Sequence, residues 1–173
     1  MGWDPSPRKW RGFFFLYRAF SIEDHLYPTH LISLHFMGRI LGIDYGLRRT
    51  GVSVTDPEQI IVQGLDTQET LGVLEFILNY ARREKIDMIV IGYPFVEGAW
   101  GDKRFKEKLD KFIAEIRSSF PNVPVILHDE RNTSVQAREI MSRSGLKKKD
   151  REDKALLDRT SAILILQEYL GHI

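Results

Sequence analysis

The stretch Arg39-Ile40-Leu41-Gly42-Ile43-Asp44-Tyr45-Gly46, followed after a short turn by Thr50-Gly51-Val52-Ser53-Val54-Thr55, decides the architecture. Both runs are rich in β-branched residues and are separated by a glycine-containing turn, which predicts two strands, Arg39 to Tyr45 and Thr50 to Thr55. Asp56-Pro57 marks a bend, and Ile60 to Gly64 is expected to be a third strand. Three consecutive strands with short connections imply an antiparallel meander. Alternation along the first strand places Asp44 on the face of Ile40 and Gly42, opposite Leu41 and Ile43. An acid is thereby set among apolar neighbours, with Gly42 and Gly46 leaving room on either side for a ligand or a close backbone. A strand-end aspartate that caps the following turn is the plainer reading.

Beyond the meander the periodicity changes. Leu71, Leu74, Ile77, Leu78 and Ala81 recur at helical spacing, predicting a helix over Thr70 to Lys85. The run Met88-Ile89-Val90-Ile91 within Asp87 to Gly92 reads as a buried central strand. Phe105, Leu109, Phe112, Ile113 and Ile116 share one face of a helix over Lys103 to Phe120, and Pro124 to Leu127 supplies a fifth strand. Two helices follow. Thr133 with Gln136 forms a capping box for the first of them, and Gly145 ends it. The expected fold class is therefore α/β, a mixed five-stranded sheet in which a three-strand antiparallel meander gives way to alternating helices and strands, flanked by helices.

The 173 residues allow one full domain and an appendage. Residues 1–36 show no clear periodicity, whereas the pattern becomes regular at Met37, so 37–173 is expected to be the domain and 1–36 an extension, disordered or arising from an upstream start site. Mass spectrometry of the natural N-terminus tests this. Arg8, Lys9 and Arg11 precede an apolar run, but Arg18 interrupts it and no small-residue cleavage site follows, unlike a secretory signal. No apolar run approaches the ~18 residues of a membrane span. With 43% hydrophobic residues the chain can bury a core, and with 25 basic against 24 acidic residues it has no global basic signature. No cysteine is present, which removes disulfides, thiolate ligands and a cysteine nucleophile, and the cytoplasm is the expected location.

The acids of interest lie far apart in sequence. Asp129 and Glu130 close the fifth strand, and alternation sends them to opposite faces without choosing between them. In the last helix Ala155, Ala162, Ile165, Leu166 and Tyr169 form the buried stripe, and Asp158 falls on it. A carboxylate there needs a cation, either a metal or a side chain such as Lys154. Carboxylates from the first strand, the fifth strand and the last helix suit a hard divalent cation, Mg²⁺ or Mn²⁺, and hence metal-assisted phosphodiester hydrolysis by two ions. Basic residues cluster at Arg48-Arg49, at Lys103-Arg104 with Lys106 and Lys108, and at Lys147-Lys148-Lys149 with Arg151; Arg131 adjoins Glu130. Such groups meet phosphate backbones, although any one cluster taken alone is an ordinary solvated face.

Four segments in order, Gly42-Ile43-Asp44-Tyr45-Gly46 through Arg49-Thr50-Gly51-Val52-Ser53, Ile89-Val90-Ile91-Gly92-Tyr93-Pro94, Asp129-Glu130-Arg131-Asn132-Thr133-Ser134, and Asp158 ahead of Ile165 to Leu170, resemble the successive signatures of the YqgF/RuvX family. The resemblance spans residues 38–171. It implies an RNase H-like fold related to the RuvC resolvases, and a nuclease for maturation of the 5′ end of 16S ribosomal RNA or a Holliday junction resolvase-like enzyme. It also implies that Asp44, Glu130 and Asp158 are the catalytic and metal-binding acids, with Asp129 as runner-up to Glu130. Arg48, Arg49, Arg131, Lys147, Lys148 and Lys149 are the expected nucleic-acid contacts. Phe95 to Gly101 departs from the Asn-Met-Asp-Gly-like loop usual at that position. The partner implied is structured RNA or branched DNA, with the protein a monomer or a homodimer.

Two rivals belong to other classes. Asp44-Tyr45-Gly46 with Thr50 also resembles the first phosphate loop of sugar kinases and actin-like ATPases, a fold that needs two lobes where this chain has room for one. A non-catalytic nucleic-acid-binding module is the other, and the presence of every acid argues against it.

Overall fold

A computed structural model describes residues 38–95, 103–129, 133–145, 147, 149 and 153–173. Expectations placed on residues 1–36, on the capping side chain of Thr133, on the 96–101 part of the divergent loop, and on Glu130, Arg131 and Lys148 fall outside them.

The alternating first run forms strand β1 (Arg39–Asp44), which pairs antiparallel with β2 (Arg49–Thr55), and β2 pairs antiparallel with β3 (Val62–Gly64). The expected meander is present. Its third strand is shorter than Ile60 to Gly64, because Asp56 Oδ1 accepts hydrogen bonds from the amides of Ile60 and Ile61 and holds both residues in the turn, exposed. A sixth strand, β4 (Gln68–Glu69), pairs with the start of β2 and corrects the expected count of five. Two residues are too few to leave a periodic signature.

The predicted helix begins later than Thr70. Thr70 to Gly72 form a single 3-10 turn, and helix α1 (Val73–Ala81) follows. Thr70 is held back by its amide, which donates to the Arg48 carbonyl, and by its hydroxyl, which bonds the Gly46 carbonyl at 2.7 Å. Leu71 is consequently fully exposed and not a core residue. The apolar run makes β5 (Ile86–Tyr93), which lies parallel to β1, and β6 (Val125–Asp129) lies parallel to β5. Helix α2 (Lys103–Ser119) connects them, and α3 (Thr133–Arg143) and α4 (Lys154–Leu170) complete the chain. Gly145, at φ 72°, lies just beyond the end of α3.

The strand order is β3-β2-β1-β5-β6, with β4 beside β2. Each face of the sheet carries its own core. Leu41, Ile43, Val52, Val54, Ile89 and Ile91 meet α1 and α2, whereas Ile40, Val90 and Ile126 meet Ile165 and Leu166 of α4. Alternation along every strand thus assigns its side chains to one helical layer or the other.

Helix α4 sits unusually close to the sheet. A Cβ on Gly51 would fall 2.0 Å from the Asp158 carbonyl oxygen, and one on Gly42 would fall 2.4 Å from Leu166 Cγ. Only glycine at these positions lets helix and strands approach this far. Ser53, the register partner of Gly42, uses the proximity to donate its hydroxyl proton to the Ala162 carbonyl at 2.7 Å.

Candidate active site

Asp44 ends β1 on the α4 side of the sheet, the side that alternation assigned. Its register partner is Gly51, whose missing side chain leaves the space beside the carboxylate to the first turns of α4. Those turns begin where Asp153 caps the helix by accepting from the Ala155 amide at 2.8 Å. Asp158 comes one turn later and Ser161 three residues after it, so both face the same way. Ser161 is buried, and Asp158 retains 24% of its side-chain surface.

Protein surrounds the Asp44 carboxyl, although part of the residue still meets solvent. Burial pushes this carboxyl up from its ordinary 3.8 to about 7; the Asp158 charge adds to the rise, and the Ser161 hydroxyl, close enough to donate, opposes it. Asp44 and Asp158 therefore lie near enough to repel. Asp158 has a partial counter-charge, the Arg49 guanidinium, whose Nε donates to Asp158 Oδ2 at 2.9 Å. The expected partner on its own helix, Lys154, is not the one; Arg49 comes from β2 on the same face as Gly51 and Ser53.

Two of the three expected acids are thus brought together. The third, Glu130, and its neighbour Arg131 lie outside the described residues. Asp129 is described. It pairs in register with Tyr93, whose hydroxyl reaches Asp110 of α2, so Asp129 belongs to the sheet face away from Asp44. Among the described residues, acids and histidines do not gather in threes at a spacing that would enclose a metal. Arg48, Lys147 and Lys149 are exposed.

Composition and spacing did not single out Ser161 or the pair formed by His128 Nε2 and Glu168 Oε2, 3.3 Å apart, which ties β6 to α4. Helical spacing from Asp158 could have found Ser161. The His128–Glu168 pair joins residues 40 apart and has no local signal.

Comparisons with known proteins bear on the family and the fold. A family description, RuvX, Holliday junction resolvase, matches residues 38–172. Relatives named "Putative pre-16S rRNA nuclease" include one from Phocaeicola vulgatus, 46% identical over 134 residues that span 78% of this chain and 96% of the relative. Another, from Porphyromonas gingivalis, is 41% identical over 136 residues that span 79% and 98%. Among solved structures, Thermus thermophilus RuvC in complex with a Holliday junction substrate superimposes with a TM-score of 0.51 at 14% identity, covering 78% of this chain and 95% of RuvC. That likeness concerns the fold, and it accords with the RNase H-like expectation. With a family match over most of its length and close relatives matched almost end to end, the chain belongs to the RuvX family.

Proposed function

We propose that the protein is a metal-dependent nuclease that hydrolyses phosphodiester bonds in structured nucleic acid, with Asp44 and Asp158 at its centre. The observation that carries this reading is the convergence of those two carboxylates, from opposite ends of the domain, in a walled space where the Asp44 carboxyl is pushed up to about 7. Crowded carboxylates with one neighbouring guanidinium are a donor set short of positive charge, which fits a hard cation with oxygen ligands. Asp44 and Asp158 would hold Mg²⁺ or Mn²⁺ together with Glu130. When bound, such ions, two in the mechanism we favour, supply an activated water and stabilise charge on the leaving oxygen.

Glu130 is preferred to Asp129 because Ile126 and His128 of β6 engage α4, and position 130 has their parity along the chain. Asp129 has the parity of Val125 and Leu127, which pack on the other face. Ser161 holds the Asp44 carboxyl from α4. Arg48, Arg49, Arg131 and Lys147 to Lys149 would meet backbone phosphates around this centre.

The substrate we favour is precursor 16S ribosomal RNA at its 5′ end, processed in the cytoplasm, on the strength of the name given to relatives up to 46% identical. The family description favours a branched DNA junction as a second reading. Purified protein incubated with each substrate and Mg²⁺ or Mn²⁺ separates them. Cleavage should vanish without metal and fall at least about a thousandfold in Asp44→Asn, with binding retained. Undiminished cleavage by that variant would place the chemistry elsewhere. Binding without cleavage in any metal would make the protein a non-catalytic module.

A further inference from the structure

We propose that Arg49 is a positioning residue that couples the nucleic acid to the metal centre, its Nε orienting Asp158 while its terminal amino groups take a backbone phosphate oxygen. The inference rests on the function proposed above and assigns the division of labour within that site. Three observations carry it. The guanidinium meets Asp158 through a single N–H, Nε to Oδ2 at 2.9 Å, and not through the two-pronged contact that planar arginine and carboxylate readily form. Asp158 Oδ1 therefore stays available to a cation. The Arg49 side chain retains 41% of its surface, and no partner for its terminal amino groups is found among the described residues. Those groups are left at the edge of the site.

The backbone imposes this geometry. Gly51 brings β2 against α4 at the Asp158 carbonyl, and Arg49, two residues earlier on the same strand face, is the side chain next to the Asp158 carboxylate. A carboxylate that ligates a metal is commonly held by an outer partner through its other oxygen, and loss of such a partner weakens metal affinity by about 10- to 100-fold. A lysine could supply the charge but not both contacts, because an ammonium on a flexible stem has no fork with which to hold two oxygens in fixed directions. Arg48, exposed next door, has no such bond among the described residues, and in the function proposed above it would meet phosphate alone.

The experiment titrates Mn²⁺ into the metal-free full-length chain by calorimetry, and separately measures binding of a hairpin RNA and a four-way DNA junction in Ca²⁺ at several salt concentrations. Arg49→Gln should bind Mn²⁺ about tenfold or more weakly without any nucleic acid present. It should also lower the slope of log affinity against log salt by about one. Arg49→Lys should restore the slope but not the Mn²⁺ affinity. Circular dichroism of both variants checks that the fold is intact.

Unchanged Mn²⁺ affinity in Arg49→Gln overturns the proposal. Tighter Mn²⁺ binding also overturns it, since Arg49 would then be a competitor of the metal. An unaltered salt slope in Arg49→Gln removes the phosphate contact. The wider functional reading is judged by the unmutated protein. If it binds Mn²⁺ and Asp44→Asn does not, that reading stands whatever Arg49 does; if it binds none, both fall.

Discussion

Asp44 has a thermodynamic consequence that needs no substrate to observe. Its carboxyl keeps a proton to about pH 7 in the folded protein and would release it near 3.8 in the unfolded chain. The folded state therefore binds more protons across that window, so stability from this group is full below about pH 4 and is lost as pH rises through 7. Asp44→Asn carries no charge at any pH. In metal-free buffer it should be more stable than the unmutated protein by on the order of 2 kcal/mol at about pH 8.5, a figure reduced from the full shift because the residue keeps contact with solvent. The advantage should shrink towards about pH 5, and Mg²⁺ should raise the melting temperature of the unmutated protein alone. Thermal melts in chelator at several pH values check this. A difference that does not change with pH would mean that Asp44 is not the group titrating.

At the scale of elements, the approach of α4 to β2 is the feature on which the site depends. Gly51→Ala would drive a methyl into the Asp158 carbonyl, and backbone on both sides leaves neither partner a flexible end to move. Overpacking of this kind costs about 1–3 kcal/mol. Because the strain falls at Asp158, activity should drop further than stability explains, with cleavage reduced at temperatures where circular dichroism shows the variant fully folded. Normal activity in a folded Gly51→Ala would show that α4 can shift without harm. The elements also mark what was readable in the sequence. Alternation correctly placed Asp44 beside Gly42 because a half-buried strand has only two faces. Helical spacing put Asp158 on the inner side of α4 for a similar reason. Neither could name Arg49 as the partner of Asp158, since that contact spans 109 residues and depends on two elements packing at a distance set by glycines. Likewise the 3-10 turn at Thr70 arises from hydrogen bonds to Gly46 and Arg48, and helical periodicity ran through it, whereas β4 exists only by its pairing with Arg49 and Thr50 of β2.

At the scale of the molecule, the family match begins at residue 38, and the Asp44–Asp158 pair lies within it. We expect residues 37–173 to fold without the first 36, melting within about 3 °C of the full chain, a difference of about 1 kcal/mol or less. Calorimetry of the two proteins decides it. A shortened chain that fails to fold would assign the first segment a structural part. Among the described residues, no helix is long and apolar enough to cross a membrane.

The site joins the first strand of the sheet to the last helix, and its two described acids have nearly the whole domain between them in sequence. During synthesis, Asp44, its strand and its turn leave the ribosome early, whereas Asp158, Ser161 and the capping Asp153 emerge last. A chain still being translated can pair β1 with β2, yet it has only one of these two acids until α4 is out. The order of the elements thus withholds the Asp44–Asp158 pair from any nascent chain whose α4 has not yet emerged.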